Sequence, residues 1–131
     1  SAARKKIKTL GIEKNVVLTG ALNQKELAKY YLDSSLYVMT SKTEAFGLVL
    51  AEAMSYGLPC VAFDRASGAR EQIKTDMGLL IKDANVEKMA GSIVELLNNP
   101  QMLKKYQKCI DKKILDYSKE HICQQWHKII Q

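Results

Sequence analysis

The sequence predicts an α/β protein, a Rossmann-like, doubly wound parallel sheet with helices closing its C-terminal part. Three observations carry that expectation. Four short apolar runs, NVVLTG (15–20), SLYVMTS (35–41), PCVAFD (59–64) and GLLI (78–81), are rich in β-branched or aromatic residues and lack strict alternation. Such runs fit strands buried on both faces, as in a parallel sheet. Helical patterns lie between them, QKELAKYYLDS (24–34), FGLVLAEAMSYG (46–57) and SGAREQIKTD (67–76), each long enough to serve as a crossover. After the fourth run the pattern turns wholly helical.

Each element has its own signals. The opening SAARKKIKTLG (1–11) reads as a helix entered partway along, as expected of a piece of a longer chain. Gly57 is the expected left-handed cap of the 46–57 helix, and Pro59 opens the next strand. NVEKMAGSIVELLNN (85–99) is amphipathic, with Val86, Met89, Ala90, Ile93, Leu96 and Leu97 apolar. Asn85 is its expected N-cap and Asn98-Asn99-Pro100 its stop. A longer helical tract runs from Gln101, carried by Met102, Leu103, Tyr106, Ile110, Ile114 and Leu115, then by Ile122, Trp126, Ile129 and Ile130, with a break near Tyr117-Ser118. The sheet is short for its class. Either the fold is unusually small, or its first strand and helix are missing from this chain.

Composition bounds the function. The chain has 131 residues, enough for one domain and one core. Its apolar share of 47% and charged share of 26% are ordinary for a globular protein, and its longest apolar run is far short of a membrane span. Three cysteines, Cys60, Cys109 and Cys123, without C-x-x-C spacing read as free thiols in a reducing, cytoplasmic setting. His121 and His127 are six apart, a poor metal pair on a helix. The chain has no G-x-G-x-x-G and no G-x-x-x-x-G-K-[ST]. The net charge of +6 gathers in Lys5, Lys6 and Lys8, and in Lys104, Lys105, Lys108, Lys112 and Lys113. Those lysines read first as solvated helix faces, and otherwise as attraction to an anionic small molecule or membrane surface. Without interleaved aromatics they give no platform for nucleic acid.

The chemistry-bearing stretch is SKTEAFGLVLAEAMSYGLP (41–59). In an open parallel sheet, ligands bind beyond the carboxyl ends of the strands. The loop 43–47 lies there, and a helix starting near Phe46 or Gly47 offers free N–H groups and a positive dipole end to a phosphate. Gly47 lets a ligand approach the backbone closely. Glu44 has a plain alternative, since Ser41-Lys42-Thr43-Glu44 matches the S-x-x-E capping box. Glu52 is flanked by Leu50, Ala51, Ala53 and Met54. An unpaired carboxylate buried there is costly. Glu52 therefore either shares a narrow polar stripe with Ser55 or meets a polar partner, such as a pair of ligand hydroxyls.

The same stretch, EAFGLVLAEAMSYGLPCVA, resembles the E-x7-E signature of retaining, GT-B fold glycosyltransferases of family 4, the group 1 enzymes that use nucleotide-sugars. The likeness extends upstream through KNVVLTGALNQKELAKYYLDSSLYVMTSK and downstream through GLPCVAFDRASGAREQIKTDMGLLIKDANVEKMAGSIVELLNNP, covering most of the chain. It implies the C-terminal, nucleotide-sugar-binding half of a GT-B enzyme acting in polysaccharide biosynthesis. Glu44 is implied as the catalytic residue at the donor sugar, and the backbone of Ala45, Phe46, Gly47 and Leu48 as the holder of sugar and diphosphate. Glu52 is implied as the acceptor of the ribose hydroxyls, and the loop at Leu22 and Asn23 as the nucleobase side. No cofactor and no metal are implied, the nucleotide-sugar being substrate. Ala45 stands where the family often has glycine. The family's G-R…K-G loop, whose cations neutralise the diphosphate, and its N-terminal acceptor domain are expected to be missing, so the chain alone is expected to be inactive. Peripheral association with an anionic, cytoplasmic membrane face is a further expectation from the charge. Two other readings stand beside this one: a non-catalytic module that retains the donor fold, and a flavodoxin-like phosphate-accepting domain with Asp64 at a strand end.

Overall fold

A computed structural model describes residues 1–41, 43, 47–74, 76–116 and 127–128. It divides into two compact units, Ser1–Tyr30 and Tyr31–Gln131, with the boundary inside one helix.

The second unit holds the sheet. β1 (Tyr37–Met39), β2 (Cys60–Phe63) and β3 (Gly78–Ile81) are parallel, in the order β1-β2-β3. β2 pairs Cys60 with both Tyr37 and Gly78, and Ala62 with both Met39 and Leu80. All four β2 residues are buried, as a strand covered on both faces must be. A Cβ at Gly78 would overlap the Cys60 carbonyl, so glycine is what lets β3 close against β2.

Helices fill the crossovers. α3 (Leu48–Ser55) joins β1 to β2, and α4 (Ser67–Gln72) joins β2 to β3. α3 ends in a Schellman motif: Gly57, at φ 79°, donates its N–H to Met54, and Leu58 donates to Ala53. Leu58 and Ala53 are both buried, the apolar contact that accompanies such a cap. After β3 come a 3-10 turn and two longer helices, α5 (Val86–Leu97) and α6 (Pro100–Asp116). Asn85 caps α5 through Lys88 N–H at 2.9 Å, as expected. Asn99 caps α6 through Met102 N–H at 3.1 Å. Pro100, read from sequence as the end of one helix, is the first residue of the next, where its missing N–H costs nothing.

One hydrophobic cluster joins Val61 and Phe63 of β2 and Ile81 of β3 to Met89 and Leu96 of α5 and Tyr106 of α6. On α5 the inward stripe narrows to Met89, Ile93 and Leu96, while Val86 and Leu97 are exposed. Ile110 of α6 is completely buried. Ile122, Trp126 and the break near Tyr117-Ser118 lie outside the described residues.

The first unit is built differently. α1 (Ala2–Leu10) is followed by irregular chain, then by α2, which begins at Gln24 and runs to Asp33 across the boundary. No residue of α1 is buried. The run 15–20, expected as a strand, has no strand hydrogen bonds, and Val16, Val17 and Leu18 are exposed. β-propensity expresses itself only against a neighbouring strand, and no described strand pairs with this run. The sheet therefore has three strands where the sequence predicts four.

Candidate functional site

The carboxyl end of β1 leads into the predicted site. Glu44, Ala45 and Phe46 lie outside the described residues; Gly47, Leu48 and Glu52 are held on one helix, α3. α3 starts at Leu48, and its N-cap is Gly47, at φ 64° and ψ 30° with no side chain to cap the helix. The first intrahelical bond runs from Ala51 N–H to Gly47 C=O at 3.1 Å. The N–H groups of Leu48, Val49 and Leu50 thus have no acceptor within the helix, and the positive end of the helix dipole lies among them.

Two expectations change at this point. The capping box would need Ser41 at the N-cap, and that position belongs to Gly47; Glu44 itself lies outside the described residues. Gly47 is also constrained for a reason the sequence did not show. A Cβ there would sit 2.6 Å from the Gly68 carbonyl oxygen and 2.8 Å from Gln72 Cγ, so the backbone of α4 approaches it directly. Positive φ and close packing both demand glycine.

Glu52 is half-buried. The all-apolar surroundings expected of it are not uniform. Leu50, Ala53 and Met54 face the core, whereas Leu48 and Val49, on the side of α3 that Glu52 shares, are exposed. Among the described residues, Tyr31 in the last turn of α2 is a polar partner, its hydroxyl donating to Glu52 Oε2 across a long 3.4 Å. Tyr31 is only 6% exposed. Its ring stacks on Tyr56 at 5.0 Å between centroids and 21° between planes, and lies tilted against Tyr37 at 6.1 Å. Burial, then the negative charge of Glu52, push the Tyr31 hydroxyl up to about 12, with Tyr37, the Glu52 hydrogen bond and Tyr56 adding to the shift. Tyr31 is therefore a proton donor throughout the physiological range. Sequence reading missed it. The available signal was the i, i+4 pair Leu27 and Tyr31 on a helix whose other tyrosine, Tyr30, faces outward.

Leu22 and Asn23 belong to the first unit. Leu22 is half-buried and Asn23 exposed. Asn23 forms a reciprocal capping box with Glu26: its Oδ1 accepts from Glu26 N–H at 2.9 Å, and its own N–H donates to Glu26 Oε2 at 3.1 Å. The side-chain carbonyl of Asn23 is thereby engaged in starting α2.

Away from these residues, a cavity of about 460 Å³ opens beside β3, lined by Ile73, Lys74, Gly78, Leu79, Leu80 and Tyr106. It contains none of the predicted site residues. Cys60 is buried and Cys109 half-buried, both free thiols, and burial pushes the Cys60 thiol up to about 12. Lys104, Lys105, Lys108 and Lys112 are exposed on α6, the surface on which the membrane expectation rests, and Lys113 is half-buried. Among the described residues no group of three or more His, Cys, Asp or Glu is placed to hold a metal ion, and no helix is long and apolar enough to cross a membrane.

The family model described as Glycosyl transferases group 1 matches residues 2–114. An uncharacterized glycosyltransferase of Haemophilus influenzae is 35% identical over 127 residues, covering 94% of this chain and 35% of that protein. The amylovoran biosynthesis glycosyltransferase AmsD of Erwinia amylovora is 30% identical over 125 residues, covering 95% of this chain and 35% of that protein. A mutant of S. aureus TarM, solved with fondaparinux, alpha-GlcNAc-glycerol and UDP, superposes with a TM-score of 0.79 at 31% identity, over 97% of this chain and 26% of TarM. The chain thus spans about a third of the length of the curated relatives it matches. The three parallel strands with their helices correspond to the C-terminal, Rossmann-like domain of the GT-B fold. With a family match across most of its length and relatives alike in sequence and fold, the chain belongs to the glycosyl transferases group 1 family.

Proposed function

We propose that this chain is the donor-binding part of a retaining, family 4 glycosyltransferase that moves a sugar from a nucleoside-diphosphate sugar to an acceptor hydroxyl on a glycan or lipid-linked substrate. One observation carries the reading: α3 opens at Gly47, an N-cap that has no side chain to hydrogen-bond the first N–H groups, and the half-buried carboxylate of Glu52 follows on the same helix. Leu48 and Glu52 are separated by about 6 Å along the helix axis, four residues at the helical rise. A nucleoside diphosphate fits such a pair. Its diphosphate takes the helix N–H groups and dipole, and its ribose hydroxyls take the carboxylate. The UDP in the TarM complex supports the same ligand class.

In this reading Glu52 binds ribose, the backbone at Gly47 and Leu48 binds diphosphate, and Glu44, Ala45 and Phe46 meet the donor sugar. Charge builds on the departing diphosphate in the transition state, and the fixed dipole of α3 stabilises it without reorganisation. No metal and no cofactor take part. The acceptor site and the cations that share the diphosphate charge are assigned to the two-thirds of its relatives that this chain does not span.

Isothermal titration with UDP, GDP and ADP tests the assignment. Weak binding of at least one, lost in Glu52→Ala, is the expected result, together with no sugar transfer by the chain alone. Tight binding that Glu52→Ala leaves unchanged would overturn the ribose role.

A further inference from the structure

We infer that Tyr31 is a positioning residue for the donor site, holding one oxygen of Glu52 so that the other faces the ribose. The inference rests on the nucleotide reading above and adds a residue to it. Glu52 lies on α3 and Tyr56, four residues on, is its C-cap. Together they form a seat for Tyr31, whose ring stacks on Tyr56 while its hydroxyl reaches Glu52 Oε2. Tyr37, from β1, also packs against the Tyr31 ring, tilted at 48° with centroids 6.1 Å apart. The ring is thereby fixed by packing, and the hydroxyl can point only where the ring directs it.

The hydrogen bond is long at 3.4 Å, which marks a weak bond. A modest rotation of the Glu52 side chain shortens it, and a bound ribose gives the carboxylate a reason to settle in one rotamer. A free glutamate side chain loses rotamer entropy when it binds a ligand, and a tethered one loses less. Because burial and the charge of Glu52 keep the Tyr31 hydroxyl protonated, the donor is always available.

Ribose recognition can be separated from general stability by comparing ribonucleotides with their 2′-deoxy counterparts. The full 131-residue chain is titrated by NMR with UDP, GDP and ADP and with the three deoxy forms, as wild type, Tyr31→Phe, Glu52→Gln and the double variant. Tyr31→Phe keeps the ring and its stack and removes only the hydroxyl. The wild type is expected to prefer the ribo form by about tenfold, the scale of one hydrogen bond to a charged group. Tyr31→Phe is expected to cost about threefold for the ribo form and almost nothing for the deoxy form, with no further loss when added to Glu52→Gln. Equal losses for ribo and deoxy forms would show a merely structural tyrosine and overturn the inference, as would an unchanged ribo preference in Tyr31→Phe. A wild type that binds none of the nucleotides, or shows no ribo preference, or keeps that preference in Glu52→Gln, overturns the ribose reading itself and the inference with it.

Discussion

Two stretches of nearly the same character behave in opposite ways. VVL at 16–18 and CVAF at 60–63 are both short and apolar and contain β-branched valine. The second is the central strand of a sheet, fully buried and paired on both edges. The first is irregular and exposed. The contrast extends to their units: among the described residues, Tyr31–Gln131 holds the buried core and Ser1–Tyr30 holds none of it. A strand is a property of a pair of segments, whereas a helix satisfies its hydrogen bonds alone. That is why α1 forms without burying a residue and 15–20 does not form a strand.

The contrast predicts a steep gradient of mutational cost. Ile110→Ala, at a fully buried position, is expected to destabilise the second unit by about 2–5 kcal/mol in urea unfolding, through lost burial and a cavity. Val17→Ala, 73% exposed in the wild type, is expected to change stability by less than about 0.5 kcal/mol. Comparable costs at the two sites would mean that 15–20 is packed after all.

Gly47→Ala should come next. The left-handed conformation alone costs an alanine about 1–2 kcal/mol, and the approach of Gly68 adds to it. Its midpoint shift should come with weakened nucleotide binding, because the same residue sets the start of α3. A silent Gly47→Ala would mean that α3 starts elsewhere.

Burial within the second unit also predicts a pH dependence. Cys60 has a thiol raised to about 12 from an ordinary 9, by burial. Below pH 9 the thiol is protonated whether folded or not, and the full contribution is present. Between 9 and 12 the unfolded chain releases its proton and the folded one does not, so stability falls as pH rises. Urea midpoints from pH 8 to 11 should fall less steeply in Cys60→Ala, and iodoacetamide at pH 8 should spare Cys60 in the native protein.

Much of the second unit was legible in its residues. Gly57 with Leu58, Asn85 before α5, and the run at 60–63 each carry a local signal for what they become. The stretch 41–59 resembled the group 1 glycosyltransferases, and the family match over residues 2–114 bears out that membership. The parts that were not legible depended on a partner. Ser41-x-x-Glu44 and Asn23-x-x-Glu26 are both possible capping boxes, and the second closes on a helix. The N-cap of α3 is Gly47, a position where a Cβ would meet the backbone of α4.

By itself, the sequence determined the class of fold, the caps at Gly57 and Asn85, and which carboxylate stands on the helix that opens at Gly47. Those features rest on interactions within a few residues of one another, which local order already contains. Only the tertiary structure decided that 15–20 would not pair, that α4's backbone would require a glycine at 47, and that Glu52 would find Tyr31, 21 residues away. Contacts across such separations depend on how helices and strands pack, and no local pattern encodes that packing.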